Sequence, residues 1–403
     1  MDNIHKEAQL VIKEARKRNL YPDIPIVTGP SCAPRIIIDG GKYLTFTSNN
    51  YLGLALDSRI KEAIKKAVDA YGMGSAGVRL LSGNLDIQVE FEEKLARFLG
   101  TQDVMTFSSG YLANIGVIRA LTNPFSYYPI LKNPSAGYLF SDEINHTSII
   151  DACRLSKAQK IIYKHSDMDD LEAKLKEVPH NEKKLIVTDG VFSMDGNLAK
   201  LPELVEFKKK YNAILMVDDS HGAGVLGKKG AGIVEHLGLK GKVDVIMMSF
   251  TKAFGALGGL IAGDKILLDY LRVTARPYMF SDPIPPAIVA GLIKALEIIG
   301  GSSKQREELE GLAIYLIDEL RNLGFTVKDS KTPIIPLIIG DEEKTILLSA
   351  FLRENGIFAP PIRYPAVRKG EERLRLTLMT THKKSDIDIL LKALKLAKEK
   401  LHL

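Results

Sequence analysis

Short apolar runs alternate with helical periods along most of the chain. The clearest runs are Val104–Phe107, Leu185–Thr188, Ile214–Val217 and Val243–Met248. Each is apolar at successive positions, and a stretch of helical spacing separates it from the next. Strands buried on both faces between helices predict a mostly parallel sheet covered on both sides, an α/β fold. In such a sheet ligands sit beyond the carboxyl ends of the strands. The residues just after the runs are therefore the candidates for chemistry: Ser108-Ser109-Gly110-Tyr111, Asp189-Gly190-Val191-Phe192-Ser193, Asp218-Asp219-Ser220-His221 and Ser249-Phe250-Thr251-Lys252. Polar groups from four separate segments are expected to converge on one rim.

Before this alternation, Ile4, Ala8, Val11, Ile12 and Ala15 recur at helical spacing and predict an amphipathic surface helix. A Pro- and Gly-rich link, 21–34, follows. Ile36–Ile38 and Tyr43–Phe46 around Asp39-Gly40-Gly41 then predict a hairpin. After the alternation, four prolines fall within Arg276–Pro286, which cannot be helix throughout. Helical stretches at Ala287–Ile299 and Lys304–Leu323 follow, then strand-like segments at Phe325–Lys328, Ile334–Ile339 and Arg373–Met379. The expected division is an N-terminal helix and hairpin segment (1–45), a large domain (46–285) and a small α/β domain (286–403).

Composition narrows the class. The 403 residues are 45% hydrophobic and 26% charged, the balance of a soluble globular protein. No run approaches the ~18 apolar residues of a membrane span. The net charge of +6 is mild on this length; it is compatible with a small anionic ligand and does not point to nucleic acid. Two cysteines, Cys32 and Cys153, form no CxxC motif and no Cys/His cluster, so a disulfide scaffold and a metal site are not expected. Reduced thiols and the absence of a signal-like N-terminus predict a cytoplasmic location.

Among the candidates, Lys252 at a strand end is costly to desolvate as a cation. Neutral, it would be a nucleophilic amine and a base; otherwise it is a solvated lysine in a glycine-rich turn. Asp218 ends an apolar strand and needs a cationic partner, such as the protonated ring nitrogen of pyridoxal phosphate, unless it caps a turn, a role that suits Asp219 better. Ser108–Tyr111 leads into a helix whose first N–H groups suit a phosphate, or is an ordinary cap. His146 can stack on a planar ring or serve as a structural hydrogen-bonding residue. Arg373 and Arg375 lie two apart on one strand and face the same side, where a guanidinium can clamp a carboxylate, or else they are solvated.

Together these residues resemble the α-oxoamine synthases, a pyridoxal-phosphate-dependent family on the aspartate-aminotransferase-like (fold type I) scaffold. The matching strings, in order, are Asn49–Leu54, Asn145–Ser148, Thr188–Gly196, Val217–Gly222, Thr251–Gly255 and Arg373–Thr377, within a resemblance that runs from Leu44 to His382. It implies that Lys252 bonds the cofactor's aldehyde and later takes a proton. Asp218 would pair with the ring nitrogen, His146 would stack on the ring, and His221 would bond its phenolic oxygen. Ser193 would contact the cofactor. Gly110, Tyr111 and Thr251 would hold the phosphate, with Ser281 reaching over from a neighbouring subunit. Asn49 and Arg375, with His146, would bind the amino-acid substrate.

The resemblance further implies a homodimer with shared active sites that condenses a small amino acid with an acyl-CoA and releases CoA. Subgroup strings diverge. Gly77-Val78-Arg79 and Arg276–Ser281 look like 2-amino-3-ketobutyrate CoA ligase. Leu80–Asn84 and Ile362-Arg363 look like 8-amino-7-oxononanoate synthase. Tyr364–Val367 and Phe250–Gly255 look like serine palmitoyltransferase. The short-chain glycine/acetyl and alanine/pimeloyl reactions rank level, with serine and a long acyl chain third. Other fold type I activities, such as a retro-aldol lyase or an aminotransferase, and a catalytically inactive partner subunit are rivals. The presence of both Lys252 and Asp218 argues against the inactive subunit. Gln88 stands where the family usually has His, and Pro283 where Ser or Thr is common. Residues 122–137 look like an insertion, expected to shape the acyl-chain entrance.

Overall fold

The computed structural model describes residues 3–18, 20–21, 24–123 and 136–403. The insertion expected at the acyl-chain entrance lies largely outside the described residues. Helix α1 (Asn3–Lys17) buries none of its side chains, in keeping with a surface helix. Strand β1 (Val27–Thr28) pairs with β2 (Arg35–Ile38), which turns back as β3 (Gly41–Thr45). The hairpin closes on Asp39 (φ 49°) and Gly40 (φ 81°) between paired Ile38 and Gly41. Two successive left-handed residues give the turn whose twist matches the strands.

Helices α2 (Ser58–Tyr71) and α3 (Asp86–Leu99) lead into the central sheet. Its elements run β4 (Asp103–Phe107), α4 (Gly110–Thr122), β5 (Tyr138–Asp142), α5 (Thr147–Leu155), β6 (Gln159–Tyr163), α6 (Met168–Lys176), β7 (Lys184–Asp189), α7 (Leu201–Lys210), β8 (Ile214–Asp218), α8 (Ile233–His236), β9 (Val245–Ser249) and β10 (Gly259–Gly263). The sheet order is β4-β10-β9-β8-β7-β5-β6, and only β10 runs antiparallel to its neighbours. The unbroken apolar runs have a direct cause. Ile186, Leu215, Val217, Ile246 and Met248 feed one core, while Leu185, Val187, Met216, Val245 and Met247 feed the other. Alternate side chains point to opposite faces, so a sheet covered on both sides needs apolar residues at every position. Strands β6 and β10 escaped the sequence pattern. The first is a half-exposed edge with Lys160, and the second is bounded by glycines.

Helices α9 (Lys265–Thr274) and α10 (Arg276–Phe280) precede the proline-rich bend, and α11 (Pro286–Gly300) packs back on α2 and α3. A Cβ at Gly291 would lie 3.0 Å from Ile64, which shows how closely α11 and α2 approach. The C-terminal part comprises α12 (Ser303–Asn322), β11 (Thr326–Val327), β12 (Ile334–Ile338), α13 (Glu342–Glu354), β13 (Ile357–Phe358), β14 (Pro361–Ile362), β15 (Arg373–Thr377) and α14 (Lys384–Leu401). Its sheet is antiparallel, in the order β11-β12-β15-β14. Strand β13 pairs instead with β3, so the N-terminal hairpin and the C-terminal part share a sheet. Among the described residues, no single helix is long and apolar enough to cross a membrane. Cys32 and Cys153 are not bonded to each other.

His382 joins the C-terminal part to the N-terminal hairpin. Its ring stacks on Phe46 at 4.9 Å, Nδ1 accepts from the Met379 N–H (2.9 Å), and Nε2 donates to the Thr45 carbonyl (2.9 Å). Burial holds the His382 imidazole below its ordinary pKa, as it does that of His221. The unfolded chain therefore takes up these protons first as pH falls, and stability is lost below about pH 6.5. The melting temperature is expected to drop between pH 7 and 5. In His382→Gln, which keeps a donor for Thr45, calorimetry should find a shallower drop; an unchanged slope would contradict this account.

Candidate active site

The carboxyl ends of β4, β5, β7, β8 and β9 surround a cavity of about 200 Å³. Of the residues expected at the site, Gly110, Tyr111, His146, Ser193, Asp218, His221, Thr251 and Lys252 line it. Asn49, Arg375 and Ser281 are not among its lining residues; Arg375 reaches the cavity-lining Ser193 and Asn49 by hydrogen bonds.

One end of the cavity is built for an anion. The Ser109 hydroxyl caps α4 by accepting from the Leu112 N–H (3.1 Å), so the helix begins at Gly110 with free leading N–H groups. A Cβ at Gly110 would lie 3.1 Å from that of Ser249, and one at Gly259 would lie 2.7 Å from the Gly110 backbone. Glycine at both positions lets α4 start hard against β9 and β10. The Ser249 and Thr251 hydroxyls, 2.9 Å apart, complete this end. The Tyr111 hydroxyl is directed away, to Asp151.

Asp218 forms the floor. It is buried, and its donors are neutral: the Asn114 amide (2.8 Å), the Ser220 hydroxyl (2.6 Å) and the Ser220 N–H (3.1 Å). Among the described residues no cation bonds it directly, which leaves room for a cationic partner. Asp189 lies in register with Asp218 on β7 and accepts the His146 N–H (2.9 Å). Burial, reinforced by the Asp218 charge, drives its carboxyl well above the carboxylate range. Asp219, as anticipated for a cap, accepts the Ile233 N–H at the start of α8 (2.7 Å).

Opposite the floor, burial lowers the Lys252 amine below its ordinary pKa; the Arg375 charge adds to this and Asp218 opposes it. His221 bonds the Tyr51 hydroxyl through Nδ1 (2.7 Å), and burial together with the Arg375 and Lys252 charges keeps its ring neutral. The two β15 arginines share a side but part in role. Arg373 is buried on Asp195 and Glu371, whereas Arg375 donates to the Ser193 carbonyl and to Asn49 Oδ1 (3.1 Å). Ser281 sits beside Ser108 (3.4 Å). The Gln88 amide donates to the Ile284 carbonyl (3.1 Å), one residue after Pro283.

Pyridoxal phosphate fits these residues. An anion end, a carboxylate held by neutral donors and an amine of lowered pKa occur around one cavity with a histidine at its wall. Sequence reasoning missed Asn114, and it carried Asp189, Ser249 and Ser148 only inside strand-end or matching strings, with no role of their own. Asn114 falls one helical turn after Gly110, a spacing that would have placed it on the same face.

A family model described as aminotransferase class I and II matches residues 41–394. The chain is similar to the 8-amino-7-oxononanoate synthase of Thermoanaerobacter pseudethanolicus, 44% identical over 383 residues, which span 95% of this chain and 94% of that one. It is 45% identical to the 8-amino-7-oxononanoate synthase of Thermosipho melanesiensis over 380 residues, 94% of each chain. Among solved structures it resembles a serine palmitoyltransferase variant from S. paucimobilis with a bound PLP-myriocin aldimine, at 27% identity, full coverage of both chains and a TM-score of 0.91.

Proposed function

The chain belongs to the aminotransferase class I and II family, among its pyridoxal-phosphate-dependent α-oxoamine synthases, and from that premise we propose that it condenses alanine with a pimeloyl thioester to form 8-amino-7-oxononanoate. The observation that carries this reading is identity of 44–45%, over almost the whole chain, to synthases of that name. It supports this pair over the glycine and acetyl-CoA reaction. A serine palmitoyltransferase-like activity is the second reading, favoured by the TM-score of 0.91.

When bound, the cofactor supplies an aldehyde that captures the amino group and a protonated ring that stabilises negative charge at the α-carbon. The Asp218 carboxylate would pair with the ring nitrogen. Gly110, Tyr111 and Thr251, with Ser249, would hold the phosphate at the start of α4. Lys252 Nζ would hold the aldehyde, and its lowered pKa favours it as acceptor of the α-proton. His146 and His221 would hold the ring in place, and Ser193 would contact it. Arg375, braced by Asn49 and the Ser193 carbonyl, receives the substrate carboxylate. The working unit is a homodimer in which Ser281 serves the cavity of a second copy, since in its own chain it lies outside the cavity.

A panel of glycine, alanine and serine crossed with acetyl, pimeloyl and palmitoyl thioesters, scored by thiol release, tests the substrate pair. Turnover only with serine and palmitoyl-CoA would replace the first reading by the second. Arg375→Lys keeps the charge but loses the forked geometry. It is expected to raise the amino-acid KM about 30-fold with a smaller change in kcat. Steady-state kinetics check this, and an unchanged KM removes Arg375 from the substrate site.

A further inference from the structure

Asn114 is fully buried in the middle of α4, yet its amide spends both N–H bonds on two different elements. One goes to Asp218 Oδ2 at the end of β8 (2.8 Å) and the other to Ser148 Oγ in the first turn of α5 (2.8 Å). Its Oδ1 is buried without a partner among the described residues. Buried amide oxygens are ordinarily satisfied, so the orientation answers a stronger demand. Turned over, the amide would press its oxygen against the Asp218 carboxylate.

The direction of every further bond follows. Ser148 Oγ already accepts from Asn114, so its own proton is free for His146 Nδ1, 2.8 Å away. The Ser148 backbone N–H also points at that nitrogen (3.2 Å). An N–H can only donate, so Nδ1 is an acceptor and the neutral ring carries its proton on Nε2. A charge on Asp218 thus orders a line of donors that ends at a histidine on the cavity wall.

We propose that Asn114 and Ser148 are positioning residues that join Asp218 and His146 into one directed hydrogen-bond chain and fix His146 as the Nε2–H tautomer. His146 then faces the cavity as a proton donor, and acceptance of the α-proton falls to Lys252. The inference rests on the cofactor reading for the importance of Asp218, but the chain itself is made only of protein groups.

The test is long-range ¹H–¹⁵N correlation on holoenzyme and cofactor-free enzyme labelled in histidine, with the His146 signals identified by their absence in His146→Gln. Nε2–H is expected in both samples at neutral pH. Asn114→Ala should raise the dissociation constant for pyridoxal phosphate about 30-fold by absorbance titration, the effect of removing one hydrogen bond to a charged group. Should that buried substitution impair folding, Ser148→Ala removes a single oxygen from the other end of the chain. It should leave cofactor affinity within about twofold and lower kcat about tenfold at constant amino-acid KM, the loss of one neutral hydrogen bond. An Nδ1–H or doubly protonated His146 in the wild type overturns the inference, as does a Ser148→Ala enzyme with unchanged kcat. A wild-type protein that takes up no pyridoxal phosphate overturns the function instead, while the tautomer is still read from the same sample.

Discussion

Lys252→Ala is expected to lower kcat/KM about 10,000-fold or more, because one nitrogen serves as covalent anchor and as base. Separate effects of that kind are each large, and here a single deletion removes both. The readout is independent of turnover. Borohydride reduction of the wild-type holoenzyme should fix the cofactor's mass on the peptide carrying Lys252, and the variant should gain none. Labelling of another lysine would displace Lys252 from the centre of the chemistry. The geometry favours position 252: burial and the nearby Arg375 lower its pKa, which shifts the amine toward its nucleophilic form.

Asp218→Asn carries the second largest effect. The substitution keeps the shape and removes the charge that pairs with the ring nitrogen. Losing one partner of a buried charge pair costs ~2–5 kcal/mol, so kcat/KM should fall about 1,000-fold. The cofactor-free protein should behave in the opposite way. With no ring in place, the carboxylate is a buried charge among neutral donors, and removing that charge should hold or raise the melting temperature. A large loss of stability without loss of turnover would make Asp218 a structural residue.

Several features of fold and site are visible in one dimension because they depend on local rules. The doubly apolar runs announce a sheet covered on both faces, since Leu185, Ile186 and Val187 must satisfy two cores at once. Asp39-Gly40 announces the hairpin because only such residues accept successive positive φ angles easily. Residues at the strand ends announce the rim, and eight of the eleven expected site residues meet around one cavity. The edge strand β6 and the glycine-bounded β10 were not legible, for neither has the apolar density of an interior strand.

Long-range pairings were also hidden. Nothing local says that β13 joins β3 or that α11 packs on α2 and α3. The two arginines of β15 look equivalent in sequence. Asp195 and Glu371 capture Arg373, while the Ser193 carbonyl and Asn49 hold Arg375. Likewise, Asn114 and Ser148 are unremarkable helix residues until Asp218 and His146 are brought beside them.

By itself the sequence determined which segments are strands with two buried faces, where the chain turns, and which reactive side chains stand at strand ends. Each of these depends on neighbours a few residues away. The tertiary structure alone decided which amine has its pKa lowered, which carboxylate is held by neutral donors and which histidine nitrogen meets a backbone N–H. Those properties depend on desolvation and on charges brought within a few ångströms from distant parts of the chain, and no local pattern encodes either.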